Sequence, residues 1–449
     1  MIRGERYTQM SITEIKSLLQ NAGVVGAGGA GFPTYAKLSE DADLLCINAA
    51  ECEPLIYTDL TIAREEMAKI AKGSELIMAA TNIKHTYLAI KGYRAEALGY
   101  QDGEAVGKNV TIKYLPSIYP IGDEIGLIYE ATGRLIRPGN LPITAGVIVM
   151  NAETVYNACE AIESGKPVIE KWITIGGDVP EKIAFKAPIG MRVSEIFKKL
   201  GIKVDEDHSV IDGGPSMGNI INPDRAVVKK TTKSLLILPN NTRAIEGKQI
   251  SMDDMLRRAA SACCGCTRCT EMCPRHQLGY PIEPHKMIRA ALNTVVEDHP
   301  ELVATASLCC SCGVCAEVCC QNISPKDVIL SLKKILAKNK IRFVGDKDYP
   351  VNPDRPYRLI KSSKWSDMLG VLKFDKIPTY LPKTLTASRV EIAMSQHIGA
   401  PSVPCVSVGD TVKAGDMIAN VGAGLSVPQY ASISGTVVSC DPTKIVIEA

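Results

Sequence analysis

Residues 263–274, CCGCTRCTEMCP, and residues 309–320, CCSCGVCAEVCC, share the spacing CxxCxxCxxxC. In the first run the pattern falls on Cys263, Cys266, Cys269 and Cys273, with Pro274 following; in the second it falls on Cys309, Cys312, Cys315 and Cys319. Three thiolates on a short loop can reach three irons of one cubane, while a fourth at the start of a helix reaches across. Structural zinc sites usually pair two CxxC units, so a run of three plus one favours iron–sulfur over a pair of zinc sites. Eleven of the sixteen cysteines lie between Cys263 and Cys320. That concentration reads as metal ligation in a reducing compartment rather than as a secreted disulfide framework.

In bacterial two-cluster ferredoxins, which these runs resemble, the fourth cysteine of each run ligates the other cluster. The resemblance implies one [4Fe-4S] centre on Cys263, Cys266, Cys269 and Cys319, and a second on Cys309, Cys312, Cys315 and Cys273. Cys320 stands where a proline is expected, and Cys264 and Cys310 are adjacent extras. These three read as non-ligating neighbours.

The clusters sit in a chain of 449 residues, long enough for two to four domains. Hydrophobic residues at 46% and charged residues at 22% fit packed globular domains and exclude a largely disordered chain. With Lys+Arg 51 against Asp+Glu 49, the net charge of +2 steers toward neither nucleic acid nor an anionic membrane. Apolar stretches such as residues 146–150, GVIVM, fall far short of the ~20 residues that cross a bilayer. The opening MIRGERYTQM has no apolar core of signal-peptide length, so a cytoplasmic location is expected.

Ser11 followed by Glu14 is a capping box, with Ile12, Ile15, Leu18 and Leu19 on one helix face. A glycine-rich stretch (residues 23–33) leads to the buried-strand run Leu44 to Ile47. Strand-like runs at Tyr87 to Ile90 and Gly146 to Met150 alternate with a helix-like run at Leu60 to Ala71, which argues α/β architecture over residues 1–165. From Lys171 to Leu238 short β runs surround one helix, Val193 to Leu200, whose Val193, Ile196, Phe197 and Leu200 share a face. Residues 250–340 are helix-like around the cysteines, a Pro- and Lys-rich connector follows, and residues 386–449 read as a compact all-β module.

The loop GAGGAGFPT matches neither the dinucleotide fingerprint GxGxxG nor a P-loop. However, residues 23–37, GVVGAGGAGFPTYAK, and residues 47–54, INAAECEP, resemble the flavin motifs of the FMN-carrying, NADH-oxidising subunit of respiratory complex I. They are still more similar to the C subunit of the Rnf electron-transport complex, as are Tyr119-Pro-Ile-Gly-Asp-Glu124 and Asn151-Ala-Glu-Thr154. The resemblance covers nearly the whole chain. Its carboxy-terminal segment resembles the barrel-sandwich domain that Rnf subunits carry at the amino end. A carboxy-terminal position is the order of the PduS-type cobalamin reductases of bacterial microcompartments.

The resemblance implies an α/β flavin and NADH domain (1–165), a β-grasp module of the soluble-ligand-binding (SLBB) type (166–245), a helical dicluster ferredoxin-like domain (246–345), a linker (346–385) and an all-β barrel-sandwich domain (386–449). Gly26, Gly28 and Gly29 would bring backbone close to FMN, with Lys37 near its phosphate. Asn48, Glu51, Tyr119, Gly122, Asn151 and Thr154 would complete the flavin pocket, while Phe32, Glu53, Asp123 and Glu124 would contact the nicotinamide nucleotide. The chemistry agrees: glycine permits close approach, backbone N–H groups and a lysine hold phosphate, and an aromatic face stacks adenine. Ala50 stands where the complex I motif has an aspartate, and Asp123 where it has a glutamate.

The function implied is an electron-transfer flavoprotein that oxidises NADH at FMN and passes single electrons through two [4Fe-4S] clusters. Cobalamin is the expected acceptor, in a reactivation system for a B12-dependent enzyme with its adenosyltransferase, inside a microcompartment shell. The alternatives are an Rnf C-like subunit feeding a membrane complex or soluble reductase, and a wiring scaffold that does not itself oxidise NADH. His208, His276 and His285 read as surface or locally hydrogen-bonded groups. Cys46, Cys52 and Cys159 read as small buried residues. The terminal β module presents no lysine in the setting that biotin or lipoate attachment uses, which favours a static docking role.

Overall fold

Every residue of Leu44–Asn48 (β1) is buried, as a strand covered on both faces requires. In the computed structural model, which describes residues 10–293 and 295–449, β1 lies inside a five-stranded sheet. The other strands are His85–Lys91 (β2), Ala105–Gly107 (β3), Val110–Leu115 (β4) and Val147–Asn151 (β6), in the order β3-β4-β2-β1-β6; the short Ile118–Tyr119 (β5) lies outside this sheet. All pairings are parallel except β3 with β4. Alternate side chains go to opposite faces. Leu45, Ile47, Ile148 and Met150 pack with the helices Ile12–Asn21, Met67–Ala79 and Ala152–Ser164, whereas Leu44, Cys46, Val147 and Val149 face the helix Glu124–Thr132.

The capping box forms as expected: Ser11 Oγ accepts from the Glu14 N–H at 3.3 Å, and Glu14 Oε2 accepts from the Ser11 N–H at 2.7 Å. The residues MIRGERYTQ, read above for a targeting signal, lie outside the described residues. The helix expected over Leu60 to Ala71 is corrected to two, Thr58–Glu65 and Met67–Ala79, broken at Glu66, whose φ of −132° and ψ of 29° leave the helical region. The break lets the second helix lie along Ala152–Ser164 while the first also reaches the neighbouring sheet. Among the described residues no helix is long and apolar enough to cross a membrane.

The second sheet is built from Glu170–Gly177 (β7), Ile183–Pro188 (β8), His208–Asp212 (β9), Asn219–Ile221 (β10) and Ser234–Pro239 (β11), in the order β10-β9-β11-β7-β8. β11 runs parallel to β7 at the centre, and the other pairs among these five strands are antiparallel. The helix Val193–Leu200 buries Val193, Ile196 and Phe197 against this sheet. A fully buried ion pair, Lys171 on β7 with Glu153 in the first module, ties the two sheets, and Glu153 also accepts from the Trp172 N–H at 3.3 Å.

The stretch 346–385, expected as a linker, is built into the body of the molecule. Ile360–Lys361 (β12) pairs with β5, and Thr379–Tyr380 (β13) extends the second sheet beside β8. Between them Trp365 is fully buried, stacks on Tyr119 with ring centroids 4.2 Å apart, and donates Nε1–H to Ser216 Oγ at 3.0 Å. Its apolar positions Ile360, Trp365, Leu369, Val371 and Phe374 join one core cluster, which the Pro and Lys content of the flanks conceals.

The final module has two sheets, Arg389–Ala393 (β14), Thr411–Val412 (β16), Gly435–Cys440 (β19) and Lys444–Glu448 (β20) in one, and Val403–Pro404 (β15), Met417–Asn420 (β17) and Gln429–Tyr430 (β18) in the other. It docks on both earlier modules: Tyr430 OH bonds the Asn21 carbonyl, Gln20 Nε2 the Ser426 carbonyl at 3.2 Å, and Ser432 Oγ the Ile189 carbonyl at 2.5 Å. Buried Lys230 spans the junction, donating Nζ–H to the Gly23 carbonyl at 2.8 Å and the Pro428 carbonyl at 3.4 Å. Burial pushes its ammonium down from the ordinary 10.5 to about 7. Between pH 7 and 10.5 the unfolded chain therefore binds the extra proton, and this residue's contribution to stability rises with pH. The stability difference between Lys230→Met and the wild type in urea unfolding should move in favour of the wild type between pH 7 and 10, by at most roughly 1.4 kcal/mol per pH unit. A pH-independent difference contradicts this account.

Candidate functional site

A cavity of about 540 Å³ opens beyond the carboxyl ends of β1 and β6. This is where the chain switches direction across the sheet, the usual ligand crevice of parallel α/β folds. Its wall includes Gly28, Gly29, Asn48, Glu51, Gly122 and Asn151 from the expected flavin set, and Glu53, Asp123 and Glu124 from the nucleotide set. The glycine loop lies flat on Asn151: a Cβ at Gly28 would come within 2.6 Å of the Asn151 amide. Asn48 is fixed by donating Nδ2–H to the Gly122 carbonyl at 2.9 Å and accepting from the Ala50 N–H at 3.2 Å.

Glu51 adopts φ of +40°, unusual for a residue with a side chain. Its carboxylate is held by Arg94 at 2.5 Å and by the Asp59 N–H at 2.5 Å. Burial pushes it up to about 7 against the pull of Arg94. Asp59 pairs with Lys233 through Oδ2, while its buried Oδ1 has no hydrogen-bond partner among the described residues. Asp59 faces the cavity, so a ligand with hydroxyl or N–H groups would complete it. Volume, close glycine backbone and this unpaired acceptor fit FMN.

Five expected residues do not line the cavity. Gly26 bonds Phe32 across the base of the loop, its N–H reaching the Phe32 carbonyl at 2.9 Å. Thr154 Oγ1 accepts from the Ala27 N–H at 3.0 Å, holding the loop from behind. Lys37 pairs with Glu124 at 2.6 Å and donates to the Val149 carbonyl at 3.0 Å. Tyr119 is buried beneath the floor and donates its hydroxyl to the Cys312 carbonyl at 2.5 Å. Asp123, which does line the cavity, is bound by Arg275 at 2.6 Å, immediately after the first cysteine run.

The opposite wall was not anticipated: Gly213, Gly214, Met217, Gly218, Thr231 and Lys233 come from loops between the strands of the second sheet. Glu53 anchors this wall by accepting from the Ser216 N–H at 2.9 Å, and a Cβ at Gly214 would lie 2.3 Å from its Oε2. The glycine run Gly213-Gly-Pro-Ser-Met-Gly218 was the available signal, but its partner is distant in sequence.

None of the sixteen cysteines is paired in a disulfide. The two runs share a backbone form, with Thr267 (φ 59°) and Gly313 (φ 85°) in left-handed conformation before one-turn helices carrying Cys269 and Cys315. One small cavity is walled by Cys263, Cys266, Cys269 and Cys319, together with Cys264 and Cys320; another is walled by Cys273, Cys309, Cys312 and Cys315, together with Cys310. Of the expected ligands, each cavity thus holds three from one run and one from the other. Cys264 and Cys320, expected as bystanders, stand with Cys266 in one exposed group whose sulfurs lie within 4.8 Å of one another. Burial pushes the Cys273 thiol up to about 12 and Cys269 up to about 11, so thiolates there call for a bound cation, as iron supplies. Cys310 and Cys312 line both the second cage and the large cavity, making this the inner cage and the other the outer one.

Of the remaining groups, Cys46 and Cys159 are buried as expected, whereas Cys52 is half-buried and faces the large cavity. His208 bonds Asp205 at 2.5 Å, His276 the Ile282 carbonyl at 3.1 Å and His285 Thr270 at 2.7 Å, all local contacts.

Residues 19–160 match the Nuo51 FMN-binding domain, residues 262–324 the 4Fe-4S dicluster domain, and residues 379–449 the RnfC barrel sandwich hybrid domain. With the cavity and the paired cages, these matches define an electron-transfer oxidoreductase carrying FMN and two [4Fe-4S] clusters. The chain is 34% identical over 443 residues to cobalamin reductase PduS of Salmonella typhimurium, covering 98% of this chain and 97% of that protein. It is 34% identical over 428 residues to cobalamin reductase PduS of Citrobacter freundii, covering 94% of each. It belongs to the PduS cobalamin reductase family. A more partial relative is the C subunit of the proton-translocating ferredoxin:NAD(+) oxidoreductase complex of Clostridium ljungdahlii, 30% identical over 276 residues, 60% of this chain and 58% of that protein.

Proposed function

We propose that this chain takes electron pairs from NADH and delivers them singly to cobalamin in a bacterial microcompartment. FMN, when bound, supplies two-electron acceptance with one-electron release, and the two [4Fe-4S] centres supply the one-electron path. The observation that carries this reading is the wall shared by cavity and inner cage through Cys310 and Cys312. Gly28, Gly29, Asn48, Gly122 and Asn151 would shape the flavin seat. Gly26, Thr154 and Lys37 would hold its loop and edge from behind. Glu53, Asp123 and Glu124 would face the nicotinamide nucleotide, with Phe32 at the loop's margin.

The central parallel pair β7 and β11, flanked by antiparallel neighbours and one helix, supports reading residues 166–245 as the SLBB-type β-grasp module. The domain limits at 165, 245 and 345 follow from this reading, with 346–385 as a strap rather than a linker.

Anaerobic, reconstituted protein should show a flavin spectrum bleached by NADH and should then reduce cob(III)alamin. Bleaching with cobalamin left oxidised would move the assignment to an Rnf C-like subunit with another acceptor. Reducible clusters without NADH bleaching would favour the wiring scaffold.

A further inference from the structure

A second cavity, of about 250 Å³, lies between the Gly213–Gly218 loop and the cysteine helices, and its wall includes Ser216, Arg243, Lys248, Arg258, Lys326 and Trp365. It touches both cages: Ile323 also lines the outer one, and Gly313 and Lys326 also line the inner one. We infer that this cavity seats the phosphodiester arm of the corrinoid acceptor, which rests on the acceptor reading above.

The charge in the wall is not balanced internally. Glu317 is taken by Arg243 at 2.5 Å, and Asp327 lies 3.6 Å from Lys326. Glu246 is the remaining carboxylate in the wall. Lys248 and Arg258 form no ion pair among the described residues. Lys248 gives its Nζ–H groups to the Ser216 and Gly218 carbonyls at 3.1 and 2.7 Å, and Arg258 donates to the Asn322 carbonyl at 3.3 Å. Lys326 also reaches the Ser216 carbonyl at 3.4 Å, so two ammonium groups converge on one oxygen. Burial and this neighbour push Lys248 down to about 8, a strain that an anion in the cavity relieves. The 14-residue helix Pro325–Lys338 adds its positive end here.

The ligand's chemistry follows from charge and size. Cobalamin's peripheral groups are neutral amides apart from one phosphodiester, a monoanion matched by unpaired Lys and Arg donors. The cavity admits a phosphate and its ester substituents but is too small for the corrin ring. The macrocycle would therefore stay at the mouth, beside the cages.

The test compares aquocobalamin with diaquocobinamide, which keeps the ring and cobalt but lacks the phosphodiester arm. Equilibrium dialysis of oxidised holoprotein should show roughly tenfold tighter binding of aquocobalamin, and inorganic phosphate should compete with it but not with cobinamide. Arg258→Gln and, independently, Lys326→Met should each bring the cobalamin-to-cobinamide ratio of dissociation constants close to one. The ratio cancels any general loss of folded protein. Equal wild-type binding of the two corrinoids, or a preference that survives both substitutions, overturns the site while leaving the acceptor reading intact if NADH still reduces cobalamin. If cobalamin neither binds nor is reduced, both readings fall.

Discussion

Cys312→Ala should lower bound iron by about half and slow cobalamin reduction on the order of a hundredfold or more, since changes merely adjacent to metal ligands already cost ten- to a hundredfold. Cys312 is buried where the inner cage meets the large cavity, and its carbonyl accepts the Tyr119 hydroxyl. Its loss should break the path while leaving the wall of Gly28, Asn48 and Asn151 in place. NADH should therefore still bleach the flavin, with the outer cluster remaining oxidised by electron paramagnetic resonance. Cys310→Ala, at the same wall but outside the proposed ligand set, should retain its iron. Full iron in the Cys312 variant, or half the iron in the Cys310 variant, would show that the inner ligand set is wrongly drawn.

Lys171→Met should destabilise the protein by about 3–5 kcal/mol, the usual cost of leaving one member of a buried ion pair without its partner. Both side chains are fully buried, and Glu153 lies two residues after Asn151, which lines the cavity. The double variant Lys171→Met/Glu153→Leu should recover most of that loss, because no buried charge remains. Urea unfolding of the four members of the cycle measures both effects. A Lys171→Met cost below about 1 kcal/mol would mean that Glu153 is neutralised more easily than its surroundings suggest.

Local chemistry made much of this legible from sequence. The cysteine spacing, the Ser11–Glu14 cap, the β1 run and the face of Val193–Leu200 depend on neighbours within a few residues. The opposite wall of the cavity does not: Lys233 meets Asp59, and Ser216 meets Glu53, through pairings that only the packed sheets create. Tyr119 and Thr154 sit one layer behind the cavity because shared motif residues can support a site as well as line it. The strap at 346–385 was hidden for a different reason. Its exposed Pro and Lys residues set the composition, while a few apolar anchors such as Trp365 set the packing.

Tyr430 against Asn21 and Ser426 against Gln20 place the last module directly over the first helix. A sequence that carries this module ahead of the flavin region can therefore reuse the same seat with only a rewired join. Such a transposition preserves the interface while altering connectivity, so domain order can diverge among relatives without redesign of the contacts themselves.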